Sequence, residues 1–409
     1  MKKSYKPFIF PIILLSSIVL GGLTGYRLGP KSYYLKPLGD IFINLILTII
    51  VPLIFFSISA AIARTSSLGK LSTLMSYMTV VFIFTSLIAA LYALFIVFLF
   101  PPIVAAEIPI NFSSIDNSTN IFTKIVSIFT VSNFSELLSH QHMLALIIFS
   151  MIIGTAITRI DKQQGRLCLD ILYAGEAVLM KSFSFIMYYA PIGFFAYFAV
   201  LVGELGAQII GNYLRITLLY YVSVSFYFII ASTLFAFTAA KRKGILLFWS
   251  NISTPMLTAL ATCSSAASIP ANLEATKKMQ VPSEIADITI PFGSLVHKDG
   301  SVIGGVFKIA FLFELFHLNF TNPSVLLTAI GVSLLVGTVM GAIPSGGMLG
   351  ELLILSAYNF PSSVLIAIAA ISLLIDPLAT MLNVTGNSIS AMIIARLMRK
   401  KNNCNRGDD

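Results

Sequence analysis

Two groups of polar residues interrupt runs that are otherwise apolar, and both contain the residue types needed to bind a charged solute or move an ion. In ITIPFGSLVHKDGSVIGGVFKIAFL, His297, Lys298 and Asp299 stand together in mid-run, directly before Gly300 and Ser301. An ionisable side chain in mid-membrane costs about 2.5 kcal/mol or more unless it is paired or hydrated, so such residues are functional candidates by default. An imidazole changes charge near neutral pH, and a lysine beside an aspartate in a low-dielectric cavity is open to the same chemistry. The bland reading is a self-neutralising Lys298/Asp299 pair. Adjacent residues on a regular helix diverge by about 100°, so that pair would need an unwound turn, which Gly300 could supply.

The second group lies in ISLLIDPLATMLNVTGNSISAMIIAR, where Asp376, Thr380, Asn383 and Asn387 recur at spacings of four, three and four. That spacing predicts one polar face on an apolar helix. The face fits either a solute-lined surface or a stripe that glues helices together. Asp376 precedes Pro377, so an irregular turn is expected there. A third set, Ser264 and Ser265, lies in the small-residue run LTALATCSSAASIPA. A hydrolase would have to pair one of these hydroxyls with His297 and supply an oxyanion site. No GxSxG motif occurs, and solute contact or packing is the favoured reading.

The elements that position these residues follow from composition and hydropathy. Of 409 residues, 57% are hydrophobic and 11% charged, where a soluble domain carries roughly 25% charged residues. The whole chain therefore reads as an all-α membrane protein with the lipid bilayer as its main partner. The net charge of +9 is concentrated at the ends of apolar runs, as at Lys2, Lys3, Lys6, Arg396, Arg399, Lys400 and Lys401. That placement reads as cytoplasmic orientation and not as a nucleic-acid surface. Cys168, Cys263 and Cys404 have no paired spacing, so neither a disulfide framework nor a zinc site is expected, and no cofactor. The run from Phe8 to Leu23 is too long for a signal core and predicts a first membrane helix with a cytoplasmic start.

Hydropathy predicts six spans in residues 1–240, at about 8–28, 39–64, 74–103, 121–158, 167–203 and 212–240. Several exceed the roughly 20 residues that cross a ~30 Å core, so they must tilt, break or extend. Basic stretches at Arg64 to Lys70, at Arg159, Lys162 and Arg166, and at Lys241 to Lys243 alternate with a polar loop at 104–120. This places the loop outside and both termini in the cytoplasm. In residues 241–398 the apolar stretches are broken twice, at 262–270 and in LVGTVMGAIPSGGMLGE at 335–351, where Gly and Pro free backbone groups that hydrocarbon cannot satisfy. Each break precedes a helix with buried polar residues, at 285–316 and 363–398. Such pairing in two halves points to inverted repeats around a transport site. The expected core is thus a hairpin at 244–278, a helix at 285–316, a hairpin at 326–358 and a helix at 363–398, before a cytoplasmic tail at 399–409.

These same residues carry a resemblance. PLGDIFINLILTIIVPLIFFSISAAIA at 37–63, APIGFFAYFAVLVGELG at 190–206, the serine-rich tip at 262–270, GAIPSGG at 341–347, HKDGS at 297–301 and NVTGN at 383–387 resemble the dicarboxylate/amino acid:cation symporters, the glutamate-transporter-like family. The resemblance covers nearly the whole chain. It implies eight transmembrane helices plus two re-entrant hairpins, and a homotrimer in the cytoplasmic membrane. In it a scaffold would hold a mobile transport domain, with helices 74–103 and 212–240 associated with that domain, and solute would cross by an elevator-like movement.

Carried over residue by residue, the resemblance implies that Asp376 binds a substrate amino group and that Asn383 contacts substrate and a sodium. Thr380 stands beside the position of the family's carboxylate-binding arginine, and Ser264, Ser265, Ile343, Pro344 and Gly346 belong to the hairpin tips that enclose substrate. The arginine position itself reads Ala379, which argues against an acidic substrate and for a small neutral amino acid. The implied cation-coupling set is Thr85, Ser86, Gly293, His297, Lys298, Asp299, Asn383 and Asn387, with Asp299 as a sodium ligand. Here the family's asparagine is His297, its methionine Lys298, its site-closing carboxylate Asn387 and its tyrosine Phe82. Hard cations want several oxygen ligands. The substitutions lean the coupling ion from sodium toward protons, and Lys298 stands either in the place of a sodium or beside the substrate. The reading is an amino acid symporter, with a glutamate/aspartate or dicarboxylate symporter using Lys298 as the alternative. An anion channel would show currents without accumulation.

Overall fold

The computed structural model describes residues 6–65, 72–102, 130–139, 142–206, 208–339 and 347–404. Every regular element among them is helical. The chain opens with α1 (Lys6–Leu28), a 3-10 turn (Gly29–Leu35) and α2 (Lys36–Thr65), followed by α3 (Ser72–Leu99), α4 (Met143–Ile157), α5 (Lys162–Met187) and α6 (Ala190–Leu205). The second half holds α7 (Gln208–Asn251), α8 (Ser253–Thr262), α9 (Ile269–Lys278), α10 (Ser283–Val296), α11 (Asp299–Leu315), α12 (Pro323–Val339), α13 (Gly347–Tyr358) and α14 (Leu365–Cys404). Among the described residues four helices are long and apolar enough to cross a bilayer, or five if the bent pair α5 and α6 is one span. The molecule is a multi-pass membrane protein.

Several expected spans are divided. The run expected at 121–158 is helical, within its described part, only from Met143 to Ile157, apart from a short turn at Phe134–Leu137. Ser132 and Asn133 bond Glu136 locally, and Asn133 is extended, which takes the backbone out of helix before α4. The run at 167–203 bends by 54° between α5 and α6. Pro191, in the first turn of α6, cannot donate to the preceding turn, so a new helix starts there. Continuous helix at Pro377, in contrast, replaces the irregular turn expected beside Asp376.

The helices sort by packing. α2 lies against α4, α5 and α6, and α1 runs along α6. In the other group α14 is the axis: α3, α7, α8, α10 and α11 pack around it, and α11 also meets α12 and α3. The hairpin expected at 244–278 begins at a kink inside α7, where Ala240 and Lys241 leave helical geometry (Lys241 φ 52°), and turns over between α8 and α9. α12 and α13 cover the second expected hairpin and pack against each other; residues 340–346 between them lie outside the described residues.

Candidate functional site

The expected helix at 285–316 is two helices. α10 ends at Val296, His297 is extended (φ −125°), Lys298 is non-helical (φ −143°, ψ 73°), and α11 begins at Asp299. The unwound turn therefore lies just before the aspartate and not at Gly300. The break exposes the first amides of α11, which have no partner within their own helix. Asn383, from α14, fills that role: its Oδ1 accepts from the Gly300 N–H at 2.8 Å and the Ser301 N–H at 3.3 Å, while its Nδ2 donates to Ser301 Oγ at 3.1 Å. Asp299 sits in the first turn of α11, where the helix dipole favours a negative charge. Gly300 packs on the backbone of Ala379, whose carbonyl a Cβ would strike, and Tyr220 of α7 donates to the Gly300 carbonyl at 2.9 Å.

Side chains from α3 and α14 converge on the break. From α3, Ser86 donates to Asp299 Oδ1 at 2.7 Å, and Thr85 Oγ1 lies 2.7 Å from His297 Nε2. The same Nε2 is 3.1 Å from Asp299 Oδ1, and His297 Nδ1 is 2.8 Å from Asn387 Oδ1 of α14. Thr85 also donates toward the Phe82 carbonyl at 3.2 Å. Both ring nitrogens meet oxygens, Nε2 those of Thr85 and Asp299 and Nδ1 that of Asn387. The ring stacks on Phe82 at 4.3 Å and 9°, a face that favours a cation. His297 is 1% exposed and Asp299 4%. A Cβ at Gly293 would meet the Asn387 amide and Phe82, so only glycine leaves room for the cluster.

This geometry tests the implied sodium ligands. The oxygens of Thr85, Asp299 and Asn387 are all turned onto the imidazole, whose ring fills the space between them. The residues present do not fit a sodium ion at that point. Nor is Asp299 paired with Lys298: its partners are His297 and Ser86. Lys298 is half-buried, forms no ion pair within 4 Å among the described residues, and has Asp376 as its charged neighbour.

Asp376 is half-buried on α14 and accepts from Thr380 Oγ1 at 3.1 Å. Cys263, at the tip between α8 and α9, is within its electrostatic reach. That tip turns because Cys263 adopts φ 48°, and Ser264 Oγ then accepts from the Ala267 N–H at 3.2 Å. Ser265 is buried. Neither serine bonds His297, whose nitrogens are engaged elsewhere, so the hydrolase dyad does not form. The structure thus brings together Thr85, Ser86, Gly293, His297, Asp299, Asn383 and Asn387, and sets Asp376, Thr380 and Lys298 beside them. Ile343, Pro344 and Gly346 lie outside the described residues.

Some partners were missed from sequence. Asn272 of α9 donates to the Val384 carbonyl at 2.8 Å and accepts from Ser388, tying the first hairpin to α14. Lys308 is 1% exposed and pairs with Glu351 of α13 at 2.6 Å. Buried tyrosines need a hydroxyl partner, and this was the available signal for Tyr220; nothing in the spacing pointed to its acceptor.

The profile of the Sodium:dicarboxylate symporter family matches residues 10–397. The chain belongs to this family. It is a cation-coupled symporter that takes a small-molecule substrate, and its family comprises transporters rather than enzymes. This symporter is 25% identical over 401 residues to the "Proton/sodium-glutamate symport protein" of Bacillus caldotenax, covering 94% of this chain and 92% of the relative. It is 25% identical over 410 residues to the "C4-dicarboxylate transport protein" of Pseudomonas syringae pv. syringae, covering 96% and 88%. To the "Neutral amino acid transporter B(0)" of Bos taurus it is 30% identical over 275 residues, covering 65% of this chain and 49% of that protein.

Proposed function

We propose that this symporter moves an amino acid across the cytoplasmic membrane together with protons, and that Asp376 holds the substrate α-amino group. One observation carries the reading: the His297 imidazole stands between Thr85, Asp299 and Asn387 and uses the oxygens a sodium ion would need. A proton on that ring supplies the positive charge opposite Asp299. Both His297 and Asn383 act on the broken start of α11, so the charge at Asp299 and the solute face of α14 share one piece of backbone. Proton binding and solute binding are thereby coupled through Gly300 and Ser301.

In this reading eight spans and two re-entrant hairpins form the fold, with both termini cytoplasmic and three copies in the assembly. The group α1, α2, α4, α5 and α6 is the scaffold. The group α3 and α7 to α14 is the transport domain, which moves as an elevator with substrate enclosed by Ser264, Ser265 and the tip at 343–346. The sparse packing between the two groups supports this division. Ala379, small and packed against Gly300, supports a neutral substrate. The test is uptake into proteoliposomes with pH and sodium gradients imposed separately. Accumulation driven by an acidic exterior without sodium is expected; uptake that needs sodium and ignores pH would remove the reading.

A second reading keeps glutamate, aspartate or a dicarboxylate as substrate. Lys298, half-buried and facing Asp376 without an ion pair, is the observation in its favour, together with the names of two relatives. Lys298→Met would then weaken acidic-substrate binding far more than neutral-substrate binding, and equal losses would exclude it.

A further inference from the structure

We propose that the groove between α3 and α7 binds one anionic phospholipid, with an acyl chain along the groove and the phosphate at its Arg215 end. The groove encloses a cavity of about 750 Å³. Along α7 its wall is Arg215, Leu218, Val222 and Phe226, at spacings of three, four and four, which is one helical face. Eleven residues of helix give that face a length of about 16 Å, room for most of an acyl chain. Leu218, Val222 and Phe226 are 67%, 61% and 58% exposed, so this wall opens to the bilayer. On the α3 side the lining is Ile96 and Phe100, and Tyr92 closes one end by donating to the Ser223 carbonyl at 2.8 Å.

The polar groups of the lining are not spread evenly. Arg215 and Asn212, one turn apart, sit together at the end where α3 stops; the Arg215 Nε–H donates to the carbonyl of Pro101, just beyond Leu99. That is one of five donors on the guanidinium, and Arg215 is exposed. The Asn212 side chain is 6% exposed, and its Nδ2 has no acceptor among the described residues. A buried donor without an acceptor is unfavourable, so the site is complete only when an acceptor arrives. Among the described residues no acidic side chain lines the cavity. A donor pair at one end of an apolar trough open to lipid matches an anionic head on a hydrocarbon chain, whereas a soluble anion would gain nothing from the trough. The location gives the lipid a route to the transport site, because Leu219 of the lining precedes Tyr220, which holds the Gly300 carbonyl.

Trp249 is the sole tryptophan of the chain, so a reporter can be moved into the groove by combining Trp249→Phe with Leu218→Trp in the full chain, reconstituted in phosphatidylcholine vesicles. Brominated phosphatidylglycerol should quench this tryptophan at about fivefold lower mole fraction than brominated phosphatidylcholine, the preference that ~1 kcal/mol from one interfacial arginine provides. Arg215→Gln should abolish the difference, Asn212→Leu should narrow it, and Arg215→Lys should keep it. Equal quenching by both lipids in the parent reporter would overturn the proposal, as would a preference that survives both Arg215→Gln and Asn212→Leu. A brominated fatty acid that outcompetes the brominated phosphatidylglycerol at equal mole fraction would overturn the assignment to a phospholipid.

Discussion

Two acid–base pairs are buried on the same helix, α11, nine residues and about 13 Å apart along its axis, and they are built differently. At its start, Asp299 faces His297, which lies in a two-residue break, and the pair is ringed by hydroxyls and amides from α3 and α14. Further along, Lys308 meets Glu351 of α13, and the Ser372 hydroxyl of α14 donates to the same carboxylate oxygen. All three of these residues sit in unbroken helix. The first pair contains an imidazole, the side chain type suited to changing charge with pH, and backbone that has left the helical ladder. The second joins three continuous helices through an ion pair and a serine hydroxyl, with no break in the backbone beside it. Burial of charge in a membrane therefore does not by itself mark a transport site; in the function we propose, the broken backbone beside Asp299 makes the difference. Removing one partner of the second pair should destabilise the protein, and altering the first should uncouple it.

The largest effect tests the second pair. Glu351→Leu strands the Lys308 ammonium, and loss of one partner of a buried pair costs about 3–5 kcal/mol. We expect a sharp fall in thermal stability of the detergent-solubilised protein, largely recovered in Lys308→Met/Glu351→Leu. A stable Glu351→Leu protein that has lost only its response to pH would reverse the roles of the two pairs. Next, Asn383→Ala orphans the Gly300 and Ser301 amides at about 1–3 kcal/mol. Substrate affinity, read by exchange of labelled solute, should fall by roughly tenfold with little loss of stability.

His297→Asn should leave exchange intact while abolishing accumulation driven by an acidic exterior. For one proton per solute, a gradient of one pH unit is worth about 1.4 kcal/mol, a tenfold accumulation ratio that should fall to one. Accumulation unchanged in this variant would place the coupling proton elsewhere. The smallest effect is Tyr220→Phe, which removes one neutral hydrogen bond to Gly300 worth about 1 kcal/mol. An affinity loss of about fivefold, with thermal stability unchanged, would tie α7 to the broken turn; loss of stability alone would assign Tyr220 to packing.

Much of the architecture was legible in the sequence because the bilayer imposes length and apolarity on each span and tolerates Gly and Pro only in particular places. The spans at 8–28 and 39–64 match α1 and α2 closely. The run at 167–203 was readable as too long but not as bent, since Pro191 is equally compatible with a kink and with a new helix start. The polar face of Asp376, Thr380, Asn383 and Asn387 was visible because i, i+3 and i+4 spacing survives on any helix. Lys308 and Glu351 were invisible as a pair: they are 43 residues apart, and no local rule relates them.

From the sequence alone it follows that this is a membrane chain whose second half has two interrupted apolar stretches, that ionisable residues stand in its apolar runs at 297–299 and 376, and that no arginine stands at 379. Periodicity and hydropathy are local properties, and local spacing is enough to read them. Only the tertiary structure decided that Asp299 partners His297 and not its neighbour Lys298, that the helix breaks before the aspartate, and that the Thr85, Asp299 and Asn387 oxygens are turned onto an imidazole. Those outcomes depend on which side chains α3 and α14 bring to the break, and distance along the chain carries no information about distance across it.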